Sequence, residues 1–165
     1  MHVKDIMSHP VVTCPTSSTL DHAARLMWEF DCGVIPVVGD DGRVAGMVTD
    51  RDICMAAYTQ GKPLNAIPVT SAMAHEVVAV HADDSIEHAE ALMRGSQVRR
   101  LPVLDGASRP AGLVSMNDLA RLSARARKSA VDRELVQTLA AVCQPRPRHD
   151  GLAPQPVIAR AALAG

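Results

Sequence analysis

A constant offset of 66 residues relates two parts of the sequence, and this internal repeat constrains the fold more than any other feature. Met7 aligns with Met73 and, with no gap in between, Asp52 aligns with Asp118. Because the offset never changes, the loops of the two parts have equal lengths. The chain therefore contains two copies of one structural unit.

Each copy has the pattern of a β-α-β-β-α unit. Apolar residues at 20, 23, 24 and 27 share one face of a helix, and the continuous apolar run that follows is typical of a strand covered on both faces. A glycine-bearing turn then predicts a hairpin in each copy. The predicted strands are 11–13, 34–38, 43–48, 77–80, 100–104 and 110–114. The predicted helices are one from 20 that ends at 31–33, one from 49 to about 58, one over 85–94 and one from 116.

One unit of about 60 residues would bury little apolar surface, so we expect the copies to pack sheet to sheet about an approximate two-fold axis. The predicted fold class is α/β of the α+β kind. We expect the first repeat in 1–66, the second in 67–127, an amphipathic helix in 128–143 and a Pro-, Ala- and Arg-rich tail in 144–165. The cleft between the repeats is the expected place for a ligand.

Composition argues against several partner classes. A formal net charge of −1 does not suit a protein that binds long nucleic acid, and one Trp, one Tyr and one Phe are too few for stacking on single strands. No apolar stretch reaches the length of a membrane span, and the first residues lack signal-peptide features. We therefore predict a cytoplasmic protein with neither nucleic acid nor membrane as partner.

The cysteines and histidines do not predict a metal site. The four cysteines form no C-x-x-C pair, so reduced thiols are favoured over a disulfide or zinc framework. Histidines recur at positions 9, 22, 75 and 88, but without the spacing of metal ligands. Capping or surface roles are the favoured interpretation for them.

The same motif follows each hairpin: glycine, two apolar residues, a hydroxyl, two variable residues and an aspartate. The hydroxyl lies where strand becomes helix, beside unpaired amide donors that suit a phosphate. The carboxylate one turn later can accept hydrogen bonds from both hydroxyls of a ribose. The glycine would let backbone and ligand approach closely. The residues concerned are Thr49 with Asp52 and Ser115 with Asp118.

Helix capping is the alternative interpretation of this motif. In that case the hydroxyl and the carboxylate satisfy only backbone donors at the start of the helix. A single match would favour capping. Its recurrence at corresponding points of a duplicated unit shifts the balance towards ligand binding.

The duplication, the strands around Pro36 and Pro102, and the two hydroxyl–aspartate motifs together resemble a tandem cystathionine-β-synthase (CBS) domain pair, or Bateman module. The resemblance covers residues 1 to about 127. It implies a regulatory module that binds AMP, ADP or ATP between the repeats, with S-adenosylmethionine a less expected ligand and no obligatory cofactor. It also implies a homodimer and a regulated partner protein.

The resemblance also implies roles for individual residues. Asp52 and Asp118 would hold the ribose, and Thr49 and Ser115 would contact ribose or phosphate. The adenine would lie against the first two strands of each copy. The residues expected to line one cleft are Val12, Thr13, Val34, Ile35 and Pro36, and those expected to line the other are Val78, Ala79, Arg100, Leu101 and Pro102.

Three arginines are candidates for phosphate contact, because the forked donors of a guanidinium suit phosphate oxygens. They are Arg51, Arg99 and Arg100, with Lys4 a weaker fourth. The alternative for them is a solvated salt bridge with Asp50 or another surface acid.

No nucleophile elbow, Walker loop or pair of catalytic acids occurs in the sequence, so we do not predict an enzyme. Two functions remain open. The first is a ligand sensor; the second is an interaction or scaffold protein of the same fold, in which the two aspartates only cap helices.

Overall fold

The computed structural model describes residues 1–126 and 129–142, and each copy has the predicted β-α-β-β-α order. In each of two three-stranded sheets the first strand pairs in parallel with the second, and the second pairs antiparallel with the third. The strands are β1 (Cys14–Pro15), β2 (Val34–Val38), β3 (Val44–Thr49), β4 (Val80–His81), β5 (Arg100–Leu104) and β6 (Pro110–Ser115). The helices are α1 (Leu20–Glu29), α2 (Asp50–Gln60), α3 (Ile86–Ser96), α4 (Met116–Ala126) and α5 (Ser129–Val142).

The predicted first strand of each copy is wrong in position. Residues 11–13 and 77–79 lie outside the sheets, and β1 and β4 contain two residues each. The cause is a crossing of the chain just before them. Ser8 pairs with Leu113 of β6, and Ala74 pairs with Met47 of β3, so the next residues must return to their own sheet before they can pair there.

The two segments that make these crossings are called here the lead-in segments, residues 1–8 and 67–74. Residues 1–8 belong to the first repeat but pack on the second, and residues 67–74 belong to the second repeat but pack on the first. Val3 lies in the core around β4–β6, and Val69 lies in the core around β1–β3. Both valines are fully buried. The lead-in segments therefore tie the two repeats together.

The motif glycines explain how closely the lead-in segments approach. A Cβ on Gly46 would lie 2.8 Å from the carbonyl oxygen of Ala74, and one on Gly112 would lie 3.1 Å from that of Ser8. The backbone that approaches these glycines closely is that of the lead-in segment.

Helix α5 packs against α3 and α4 and buries Leu135 and Val142 in the core of the second repeat. Among the described residues, none of the helices is both long and apolar enough to cross a bilayer. Cys14 is buried, Cys32 half-buried and Cys54 exposed, and all three are free thiols. Lys128, Cys143 and the tail 144–165 lie outside the described residues.

Candidate functional site

The hydroxyl and the carboxylate of the first motif meet at the start of α2. The backbone amide and the hydroxyl of Thr49 both donate to Oδ2 of Asp52, at 2.9 and 2.6 Å. The amide of Asp52 donates back to the Thr49 hydroxyl at 3.2 Å. This reciprocal pair is a capping box, which fixes where β3 ends and α2 begins.

The second motif repeats the arrangement at the start of α4. The amide and the hydroxyl of Ser115 donate to Oδ2 of Asp118, at 2.8 and 2.5 Å, and the amide of Asp118 lies 3.4 Å from the Ser115 hydroxyl. Asp118 is buried, and its other oxygen, Oδ1, accepts a hydrogen bond from the guanidinium of Arg121. The bonds of the capping interpretation are thus present in both repeats, and in both they use Oδ2.

Strand pairing brings the start of the second strand of each sheet beside the hydroxyl. Val34 is the cross-strand partner of Thr49, and Arg100 is the partner of Ser115. Ile35 and Leu101 are fully buried in the two cores, so any contact they make with a ligand comes from their backbone groups. The other predicted lining residues divide into buried Val34, Pro36 and Pro102 and half-buried Val12, Thr13, Val78 and Ala79.

A cleft of about 570 Å³ opens beside the N-terminus of α2, and is called here the α2 cleft. The carboxylate of Asp50 and the guanidinium of Arg100 both lie close to Gly33. A Cβ placed on this glycine would lie 3.0 Å from Oδ2 of Asp50 and 3.8 Å from a guanidinium nitrogen of Arg100. One residue of the second repeat therefore completes a cleft of the first. The lining residues are Met27, Trp28, Asp31, Cys32, Gly33, Asp50 and Arg100.

A second cleft, of about 500 Å³, opens beside the first turns of α4 and is called here the α4 cleft. Asp118 and Arg121 form one wall, and the lead-in segment of the first repeat forms the other. The lining residues are Met1, Asp5, Ile6, Met7, Ser8, Asp118, Arg121 and Leu122. Both clefts therefore lie where residues of the two repeats meet.

The three candidate arginines differ from Lys4 in their surroundings. Within the described part of the chain, no hydrogen bond or ion pair reaches the guanidinium groups of Arg51, Arg99 or Arg100. Lys4 instead pairs with Asp83 at 2.6 Å, and this hydrogen bond and the charge of Asp83 raise the pKa of Lys4. The alternative of a salt bridge with Asp50 is not formed.

Cys32 places a thiol in the α2 cleft. Burial raises the pKa of its thiol, although the nearby charge of Arg100 acts in the opposite direction. Over residues 1–126 and 129–142, no three His, Cys, Asp or Glu side chains gather as a metal site would require. Charge and hydrogen bonding are thus the chemistry that these clefts offer.

Of the predicted site residues, Asp118 and Arg100 line these two clefts. Sequence reasoning missed Trp28, Met7, Ser8 and Arg121. A signal for Arg121 was available, because the residue at the corresponding offset is Met55 and the two repeats differ there in charge.

The two repeats that form these clefts also match a known protein family. The model of the CBS domain matches residues 3–58 and 69–125 of the chain. The chain belongs to the CBS domain family. The predicted tandem CBS pair is thereby confirmed, in both its family and its fold.

Two known proteins resemble this CBS pair. Hypoxic response protein 1 of Mycobacterium tuberculosis is 34% identical over 142 residues, which is 86% of this chain and 94% of that protein. A crystal structure of Hypoxic Response Protein I with two coordinated zinc ions superposes with a TM-score of 0.67 at 36% identity, covering 73% of this chain and 98% of that one.

The second of these proteins was solved with adenosine derivatives bound. The CBS domain pair of protein MJ0100, in complex with 5′-methylthioadenosine and S-adenosyl-L-methionine, superposes with a TM-score of 0.69 at 27% identity. The match covers 75% of this chain and 96% of that one. A CBS pair of this fold therefore binds ligands that contain adenosine.

Proposed function

We propose that this CBS pair is a non-catalytic regulatory module that binds an adenine nucleotide between its repeats and signals to a partner protein. The observation that carries the proposal is the hydroxyl–carboxylate pair that recurs at the N-termini of α2 and α4. The adenosine-containing ligands of the MJ0100 CBS pair support the same ligand class.

AMP, ADP or ATP fits the charges better than S-adenosylmethionine does. No acidic side chain of the described residues forms an ion pair with the guanidinium groups of Arg51, Arg99 and Arg100. A phosphate would complete the hydrogen bonds of these donors. S-adenosylmethionine carries a positively charged sulfonium in the corresponding part of the molecule, which the arginines would repel.

The second candidate function is a ligand-independent interaction protein of the same fold. The observation that favours it is the pair of capping boxes, since a capped helix start alone accounts for Thr49, Ser115 and the Oδ2 atoms of both aspartates. The two functions differ in whether a nucleotide stabilises the protein.

Thermal unfolding with AMP and with S-adenosylmethionine distinguishes them. We expect AMP at a hundredfold excess over its Kd to stabilise the protein by about 2.7 kcal/mol. The double variant Asp52→Asn/Asp118→Asn should lose this gain, whereas Asp41→Asn in the exposed hairpin turn should keep it. If AMP, ADP and ATP all leave the melting temperature of the unaltered chain unchanged, the interaction protein is the correct function.

The proposed module also forms a homodimer through the surface of α1 and α2, called here the aromatic surface. It carries the exposed side chains of Trp28, Phe30 and Tyr58. The corresponding helices of the second repeat, α3 and α4, are covered by α5. An intermolecular contact would give α1 and α2 the burial that α5 gives to their counterparts.

A further inference from the structure

The two motifs differ at the third residue after the aspartate. Three residues after Asp118, Arg121 donates a hydrogen bond to Oδ1 of Asp118. Three residues after Asp52, the corresponding residue is Met55, whose side chain is half exposed and carries no charge. The two variable positions of the motif also differ in charge, since Asp50 and Arg51 correspond to Met116 and Asn117, but it is Arg121 that contacts the carboxylate of its motif.

Arg121 takes one of the two acceptor positions on Oδ1 of Asp118. Oδ2 accepts from the Ser115 amide and hydroxyl, and Oδ1 accepts from Arg121, while Asp118 is only 4% exposed. A ribose that donates from both of its hydroxyls to Oδ1 would have to displace the guanidinium from this buried anion.

Asp52 has an open oxygen. Its Oδ2 accepts from Thr49, and within residues 1–126 and 129–142 no hydrogen bond reaches its Oδ1. Arg51 lies next to it in sequence, and Arg100 reaches the N-terminus of the same helix. The Asp52 motif therefore has a free acceptor for a ribose, and two arginines lie in or near the first turn of its helix.

We infer that Arg121 closes the Asp118 motif to nucleotide, so that each chain binds one adenine nucleotide, with its ribose on Asp52. This inference rests on the proposed function and adds which of the two motifs is used. Arg121 acts as a specificity-determining residue, because it occupies one of the two acceptor positions that the ribose hydroxyls would need. Replacing it with the residue found in the other repeat opens the second motif.

Calorimetric titration with AMP tests the inference through stoichiometry. The unaltered chain should bind one AMP per chain, Asp52→Asn should abolish that binding, and Asp118→Asn should retain it. Arg121→Met should bind two AMP per chain. Arg121→Ala provides a second variant at the same position. A thermal melt of each variant establishes that it is folded, and we expect both to fold because the Arg121 side chain is exposed.

The reciprocal exchange gives an independent measure. Met55→Arg should weaken AMP binding at Asp52 by about tenfold or more, the value expected when a charge-assisted hydrogen bond must be broken. Met55→Leu is the matched control and should keep the affinity of the unaltered chain.

Each other result has a definite meaning. Two AMP per chain before any substitution, loss of binding in Asp118→Asn, or one AMP per chain in both Arg121 variants would overturn the inference and leave the proposed function intact. An absence of AMP binding in every form of the protein would overturn both.

Discussion

Gly46 and Gly112 lie where a lead-in segment crosses the last strand of the opposite sheet. The two backbones exchange a pair of hydrogen bonds at each crossing: Met47 and Ala74 do so at 3.0 and 2.8 Å. A strand can pair this closely with a segment lying across it only where no side chain intervenes. The glycine of the motif is thus explained by packing between the repeats.

Gly46→Ala should destabilise the protein by about 1–3 kcal/mol, because its Cβ would lie 2.8 Å from a backbone oxygen that cannot move without disrupting the pairing. Gly95→Ala is the control. Gly95 lies in α3 with no atom within 4 Å of an added Cβ, so the same change should stabilise by roughly 0.5–1 kcal/mol. Urea unfolding measures both; equal effects would contradict the packing explanation.

Single residues were predictable from the sequence where both repeats carry the same chemistry. Thr49 with Asp52 and Ser115 with Asp118 form the contacts that their spacing indicated. Arg121 was not found, because a search for similarity between repeats passes over positions where they differ. The position of Trp28 in a cleft depends on Arg100 reaching across from the other repeat, which no local pattern encodes.

Among the elements, β2 and β5 match their predicted ranges, because a continuous apolar run followed by a glycine-bearing turn is an unambiguous local signal. The helices also begin within one residue of their predicted starts. The first strands were misplaced since residues 11–13 and 77–79 have strand-like side chains but no sheet partner. Local propensity cannot show where the chain crosses between sheets.

The aromatic side chains on the surface of α1 and α2 can be replaced by the residues found at the equivalent positions of the second repeat. Phe30→Ser/Tyr58→Ala introduces the residues found at 96 and 124 and removes exposed aromatic area without touching either core. We expect a shift from dimer to monomer in sedimentation equilibrium, with AMP binding retained. An unchanged molar mass would show that the proposed dimer does not use this surface.

For the whole molecule, the exchange of lead-in segments means that neither repeat completes its core with its own residues. Val3 fills the core of the second repeat, and Val69, at the matching offset, fills the core of the first. Such mutual dependence should make unfolding a single cooperative event. Two independent domains joined by a linker would instead unfold in separate transitions.

Val3→Ala and Val69→Ala test this dependence by calorimetry. Each removes two methyl groups from a fully buried site and should cost roughly 2 kcal/mol. Because each core needs both repeats, both variants should show one unfolding transition, displaced to lower temperature as a whole. Val136→Ala on the exposed side of α5 should change stability by less than about 0.5 kcal/mol. The contrary result is two separate unfolding transitions, with Val3→Ala lowering the temperature of only one and Val69→Ala that of only the other. The repeats would then be independent, and the lead-in contacts would contribute little to joining them.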